Sequence, residues 1–273
     1  MLTDITLGQY FPGDSLLHRM DARVKIILLF FYIVGIFLFD NNICYGLNTA
    51  LAVLLVFLSG VSPRMVLKSI KPLWWILILT FVIQLFTVPG EVLAKLWIFN
   101  ITYEGLVKGF LISLRLVLLI GVSSLLMLTT SPLMLTDALE SLFRPLKPFG
   151  FPAHELAMMM TIALRFIPTL IEETDKIMSA QKARGADLES GGVLQRAKAL
   201  LPILIPLFVS AFRRADELAL AMECRCYHGG EGRTRMKQMK LHGRDLVSGL
   251  VTAAVFAGVL LLNRYVHLLP TIW

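Results

Sequence analysis

Charge is scarce in this sequence. Asp, Glu, Lys and Arg together make up 16% of the 273 residues, where soluble globular domains carry about 25%. With 56% hydrophobic residues and a mean hydropathy of +0.73, this shortage excludes an ordinary water-soluble surface and places the chain in the membrane class. Cysteine is scarce as well. Cys44, Cys224 and Cys226 are too few for a disulfide framework, and two of them fall in a segment read below as cytosolic, where thiols stay reduced. No Gly-x-x-x-x-Gly-Lys-Ser/Thr loop occurs, which excludes ATP hydrolysis by the usual phosphate cradle. His154-Glu155 lacks the second histidine of a zinc protease, and no nucleophile has an evident base, so neither an enzyme nor a cofactor is expected. Cys224, Cys226 and His228 crowd three ligand types into five residues with no fourth nearby, a poor match to a structural zinc site. A cleavable signal is not expected either: the first 23 residues are polar, with Asp4, Asp14 and Asp21 beside Arg19 and Arg23.

What is abundant is long apolar runs. A spanning helix needs about 20 largely apolar residues, and five candidates stand out at 24–39, 43–60, 73–89, 107–130 and 245–263. Trp74 and Trp75 flank the third, as suits a membrane interface. A sixth stretch, 199–212, is short, carries Pro202 and Pro206, and ends at Arg213 and Arg214; it reads as a helix buried in protein or lying at the interface. The loop charges set the orientation. Arg19, Arg23 and Lys25 flank the first span, Arg64, Lys68 and Lys71 lie in the loop at 61–72, and the segment 131–244 carries sixteen Lys and Arg residues. The turn near 40–43 has none, and the loop at 90–106 sets Lys95 against Glu91 and Glu104. The positive-inside rule then predicts a cell-membrane protein with its N-terminus and 131–244 in the cytoplasm and its C-terminus outside. The net charge of +7 follows from the same rule, and no nucleic-acid partner is needed to explain it. Three regions result: four spans in 1–130, a cytoplasmic region at 131–244, and a last span with an external tail at 245–273.

The segment 131–244 is too apolar for a linker. From Ala153 to Asp187, Leu156, Met159, Ala163, Phe166, Leu170 and Ile177 recur at helical spacing, with Met160 and Ile167 beside them. Glu172, Glu173, Asp175 and Lys176 form a polar cluster between them. A second amphipathic helix is predicted from about Leu200 to Tyr227. Gly191 and Gly192 lie between the two, Gly229, Gly230 and Gly232 follow the second, and Arg144-Pro145-Leu146-Lys147-Pro148 separates both from the fourth span.

Both helices end on an arginine between small residues: Ala183-Arg184-Gly185 and Cys224-Arg225-Cys226. Aligning the arginines, 41 residues apart, also superposes Asp175 on Asp216, Ile177 on Leu218 and Ala180 on Ala221. A helix C-terminus carries partial negative charge that favours an arginine by roughly 0.3–1 kcal/mol. Small neighbours leave the guanidinium unshielded, so the tip can enter a narrow groove and pair bidentately with a carboxylate. The alternative is that each arginine only caps its own helix.

This pattern resembles the transmembrane T component of energy-coupling-factor transporters, importers of vitamins and transition-metal ions. The resemblance includes Leu17-His18-Arg19-Met20-Asp21-Ala22-Arg23-Val24-Lys25, Leu164-Arg165-Phe166-Ile167-Pro168, both arginine tips, and Tyr227-His228-Gly229-Gly230-Glu231-Gly232-Arg233-Thr234-Arg235. Ala22 replaces a common proline, and Cys224 and Cys226 replace the usual alanine or glycine; all three are small. The resemblance implies an all-α, multi-pass fold with about five transmembrane helices and two long amphipathic cytoplasmic coupling helices. It implies two cytoplasmic ATP-binding subunits, bound through Ala183, Arg184, Gly185, Cys224, Arg225 and Cys226. It also implies a membrane-embedded substrate-binding subunit, contacted through Met158, Met159, Met160 and Phe166, since methionine suits a surface that repacks against different partners.

Three further features carry expectations. Arg115 lies about eight residues inside the fourth span, where a charge faces protein or water unless it snorkels out of a shorter span. Gly105 and Gly109 form a Gly-x-x-x-Gly that suits close helix packing. Pro168, Pro202 and Pro206 are expected to shape helices. Two rival functions remain. A stand-alone secondary transporter calls for inverted repeats and broken helices with ionisable groups at mid-membrane. A membrane-embedded lipid-processing enzyme calls for acids or histidines clustered at a boundary, where Asp137 and Glu140 offer little.

Overall fold

The computed structural model describes residues 10–38, 42–96, 99–186, 192–230 and 243–268. Asp4, Asp187, Gly191 and residues 231–235, which the sequence reading used, lie outside the described residues. The described chain forms two compact units, one holding 10–135 with 243–268 and the other holding 136–230.

In the first unit, α1 (Leu16–Arg19) leads into α2 (Ala22–Leu38) and α3 (Asn42–Ser59). The next element departs from expectation. Residues 61–72, read as a loop, contain α4 (Pro63–Ile70), which passes through a 3-10 turn at Lys71–Leu73 into α5 (Trp74–Thr87). Ser62 and Pro63 start α4, because proline at the first helical position gives up an N–H that would have no partner there. Arg64 and Lys68, expected in a loop, therefore sit on a helix, and Lys71 opens the 3-10 turn that follows it. The loop at 90–106 likewise contains an antiparallel hairpin, β1 (Val92–Leu96) with β2 (Phe99–Thr102), the one exception to an all-helical chain among the described residues. Thr102 then caps α6 (Tyr103–Thr129), its hydroxyl accepting from the Gly105 N–H at 3.1 Å.

Helix α6 is the hub of this unit. Leu118 and Val122 pack with Tyr32 and Ile36 of α2 and Ala52 of α3, while Leu125 and Leu128 pack with Val61 and with Val66 of α4. Arg115 faces protein: its guanidinium lies over the rings of Phe37 and Tyr45, 5.6 and 5.3 Å from their centroids, and donates to the Tyr45 hydroxyl. Gly105 and Gly109 form a close-packing face. A Cβ at 105 would lie 2.9 Å from the Leu85 carbonyl oxygen, and one at 109 would lie 3.2 Å from the Phe81 ring. Helix α10 (Gly243–Leu268) closes the unit, with Val259 packed on Cys44 of α3.

The outward faces are apolar. Trp75 is 80% exposed and Phe57 73%, a surface that suits hydrocarbon. Three described helices are long and apolar enough to cross a membrane: Pro63–Thr87, Tyr103–Thr129 and Ala153–Ala183. The first two cover all but the last residues of the third and fourth expected spans. The second and fifth correspond to shorter apolar helices at Ile43–Ser59 and Val247–Val259, and the first to the 17-residue α2. The chain is a membrane protein of several candidate spans.

In the second unit, the end of α7 (Pro132–Phe143) and a 3-10 segment at Arg144–Phe149 precede two long helices, α8 (Ala153–Ala183) and α9 (Val193–Glu223). Proline at Pro132 and the apolar run after it make α7 helical where the sequence reading had assigned no element. The structure starts α9 seven residues earlier than expected and carries it through Pro202 and Pro206. A helical proline has no N–H to offer the carbonyl four residues back. Pro206 therefore frees the carbonyl of Pro202, and the Gln181 side-chain amide of α8 donates to it at 3.3 Å. The stretch 199–212 is not buried by its own chain: Ile203 is covered, but Ile205, Phe208, Val209 and Phe212 are exposed.

Candidate functional site

The two arginine tips have the same backbone construction. At the end of α8, Gly185 takes the left-handed conformation (φ 82°); its N–H donates to the Lys182 carbonyl at 3.0 Å, and that of Ala186 donates to the Gln181 carbonyl at 3.0 Å. At the end of α9, Cys226 takes the left-handed conformation (φ 56°); its N–H donates to Glu223 at 2.8 Å, and that of Tyr227 donates to Met222 at 3.0 Å. This is a Schellman turn in both cases, with the arginine immediately before the left-handed residue. Every pair of equivalent atoms is again 41 residues apart. The carbonyls at each helix end are thus taken by backbone N–H groups. Among the described residues neither the Arg184 nor the Arg225 guanidinium forms an ion pair or hydrogen bond, and both side chains are exposed. Ala183, Gly185, Cys224 and Cys226 are exposed beside them.

Cys226 holds a conformation that costs an ordinary residue roughly 1 kcal/mol and glycine little. Cys226→Gly is therefore expected to raise the thermal unfolding midpoint of the detergent-purified protein, whereas Gly185→Ala is expected to lower it. An unchanged midpoint in both would mean that these turns are not held as described.

The helices are tied together at a second pair of equivalent positions. The Arg214 guanidinium donates to Glu173 Oε2 at 2.7 Å, and 173 and 214 are themselves 41 apart. Gln181 lies by Pro202 while Glu173 lies by Arg214, so α8 and α9 run antiparallel. The pair behaves as a local two-fold: each arginine tip stands eleven residues beyond the 173–214 bridge, at opposite ends. At 1.5 Å per residue the tips are roughly 30 Å apart. The 41-residue offset that aligns the tips also relates the two ends of this bridge, and in the sequence it is the one signal of a pairing that neither residue's neighbours announce.

The methionine group lies at the opposite end of α8 from the Arg184 tip. Met159 and Met160 are exposed, Met158 and Phe166 half-buried, all on the first half of α8; Met160 is about 36 Å along the helix axis from Arg184. The structure therefore brings the methionines together but does not join them to the Arg184 tip. Near the start of α8, His154 Nδ1 lies 3.0 Å from Glu140 Oε1, and Gly230 rests on the His154 ring so closely that a Cβ there would lie 2.3 Å from Cδ2. This contact gives a physical reason for Gly230, which the sequence shows as punctuation after the second helix and as part of the motif that carries the resemblance.

The cobalt transport protein family, CbiQ, matches residues 13–236. The energy-coupling factor transporter transmembrane protein EcfT of Acidaminococcus fermentans is 59% identical over 256 residues, 94% of this chain and 96% of that protein. Proteins of the same name from Thermosediminibacter oceani and Bacillus subtilis are 51% and 47% identical, each over 97% of this chain and 100% of the relative. Matches of this identity and length settle what the helix tips had pointed to: the chain belongs to the family of energy-coupling factor transporter transmembrane proteins, the coupling components of these transporters, and is not itself an enzyme.

Proposed function

We propose that this chain joins two cytoplasmic ATP-binding subunits to a membrane-embedded substrate-binding subunit and transmits closure of the ATPase pair to it, so that a micronutrient is released inside the cell. Arg184 anchors one ATPase subunit and Arg225 the other, each flanked by its small neighbours. The observation that carries this reading is the matched pair of tips. Two identical turns, each presenting an outward guanidinium, stand at opposite ends of one antiparallel helix pair. A two-fold arrangement of tips fits a two-fold arrangement of grooves, as a pair of like ATPase subunits would present.

The membrane arrangement proposed is five spans, with the N-terminus cytoplasmic and the C-terminus external. Helix α8 is apolar enough to span, yet Glu172, Glu173, Asp175, Lys176 and Lys182 crowd its second half, where a bilayer would exact several kcal/mol for each. Its apolar half, with Met158, Met159, Met160 and Phe166, instead meets the substrate-binding subunit. The cargo is a vitamin or a transition-metal ion; cobalt is the ion in the family's description.

The chain carries its own reporter for a test. Cys224 and Cys226 are exposed and Cys44 is buried. A membrane-impermeant maleimide added to intact cells is expected to label nothing, while in inside-out vesicles it labels the α9 tip, and bound ATPase subunits protect that tip. The tagged chain is expected to copurify with two ATP-binding proteins and a small membrane protein, and to accumulate no solute when reconstituted alone. Labelling of the tip from outside, or transport by the isolated chain, would sink the proposal; the second result would restore the secondary-transporter reading.

A further inference from the structure

The N-terminal run from Leu17 to Lys25 has no part in the arginine tips, yet it builds a buried charged cluster in the first unit. Asp21 caps α2, its Oδ1 accepting from the Arg23 N–H at 2.9 Å, and the Arg23 guanidinium reaches its Oδ2 at 3.3 Å. The Asp21 N–H in turn donates to Asp245 Oδ1 at 2.9 Å, so the first turn of α10 completes the cap of α2. One helical turn on, Lys25 Nζ donates to the Thr129 carbonyl at 3.1 Å and to Thr130 Oγ1 at 3.0 Å; burial works against its charge, while the Asp245 and Asp21 carboxylates favour it. Lys25, Thr129, Thr130 and Asp245 are all buried. The position along the chain is what matters. Thr129 ends α6 and Thr130 is its C-cap, a few residues before the chain leaves this unit after Leu135, and Asp245 lies in the first turn of α10, after the chain has returned. One cluster therefore lies close to two of the places where the chain passes between the units.

We infer that the Asp21–Lys25–Asp245 cluster is the anchor through which movement of the coupling unit is delivered to the membrane helices: it holds the outgoing end of α6 and the returning end of α10 on the start of α2. Opposite charges away from water resist separation, because each would be left buried and unpaired. A pull on either connection therefore displaces α2, α6 and α10 together. Without the cluster, the pull would be absorbed at the connections. These are positioning residues, and they act on transport by way of the helices they hold.

The inference rests on the proposed coupling function, and the test separates the two. The complete complex, with ATPase and substrate-binding subunits, is reconstituted in vesicles. The probe is whichever of a panel of radiolabelled B vitamins and cobalt(II) the wild-type complex accumulates. Failure of wild-type chain to retain the ATPase subunits would overturn the coupling function itself, before any variant is compared. In Asp245→Asn and Lys25→Met, the subunits are expected to stay assembled and hydrolysis to stay within about twofold, while probe accumulated per ATP falls roughly 10-fold. Lys25→Arg is expected to recover much of that ratio. A cluster that only stabilises the fold would lower complex yield, hydrolysis and uptake together and leave the ratio unchanged, and that result overturns the inference. Thr130→Val removes one hydrogen bond to Lys25 and guards against misfolding of the charge variants; it is expected to lower the ratio about threefold with normal yield, and an unchanged ratio there counts equally against the anchor.

Discussion

Alanine at both Arg184 and Arg225 is expected to strip the ATPase subunits from the purified complex and abolish ATP-driven uptake, while either single replacement leaves a weakened but recoverable assembly. An arginine that plugs a desolvated groove is a typical interface hot spot, and truncating it costs about 2 kcal/mol or more, close to 30-fold in affinity. With one tip engaged, the second binds as an intramolecular event at high effective concentration, so a single loss is partly masked. With both gone the losses multiply to roughly 1,000-fold. The two-fold relation of the tips sharpens the expectation: because the turns and the distances to the 173–214 bridge match, the two single variants should be weakened alike. Arg→Lys at both positions keeps the charge but loses the planar fork, and should fall between wild type and double alanine. Copurification and uptake at wild-type levels in the double alanine variant would dispose of the anchor role.

Much of this site was legible before any coordinates, and the reason is physical. A helix end is announced locally, by small residues and glycine where periodicity stops, so Ala183-Arg184-Gly185 could be read from the chain alone. The second tip was harder, because Cys226 occupies the left-handed position that glycine signals elsewhere; only its likeness to the first tip exposed it. What stayed hidden depends on contacts distant in sequence. Asp245 completes the cap of a helix 224 positions earlier, and nothing near either residue records that. The 173–214 bridge joins two segments whose charges look like ordinary solvated faces. Helix α4 was missed for a different reason: positive charge was used to mark a loop, and a basic segment can equally be an amphipathic helix at the membrane boundary. Helix α8 shows the same limit from the other side, since length and hydropathy admit it as a span while its charged second half argues against one.

A tight helix contact in the first unit yields the second large effect: Gly105→Leu is expected to prevent α5 and α6 from docking and to reduce accumulation of the chain severely. A Cβ at 105 would stand 2.7 Å from Thr102 Oγ1, 2.9 Å from the Leu85 carbonyl oxygen and 3.0 Å from that of Gln84. Two of these neighbours are backbone and the third is the hydroxyl that caps α6, so none can swing aside. Even Gly105→Ala should push the helices apart, and overpacking of this kind costs about 1–3 kcal/mol. Gly109 is more forgiving, because its contacts are longer: the Phe81 ring at 3.2 Å, the Phe81 carbonyl oxygen at 3.3 Å and Gln84 Cβ at 3.4 Å. Gly249, with nothing within 4 Å, is the control. Thermal midpoints in detergent should therefore fall in the order wild type and Gly249→Ala, then Gly109→Ala, then Gly105→Ala. The loss should reach function as well as stability, because α6 is the helix whose far end Lys25 holds at Thr129 and Thr130. A helix displaced at one end cannot keep its register at the other. Gly105→Ala protein that assembles should therefore also accumulate less solute per ATP, and a wild-type midpoint in that variant would show that α5 and α6 do not meet as closely as drawn.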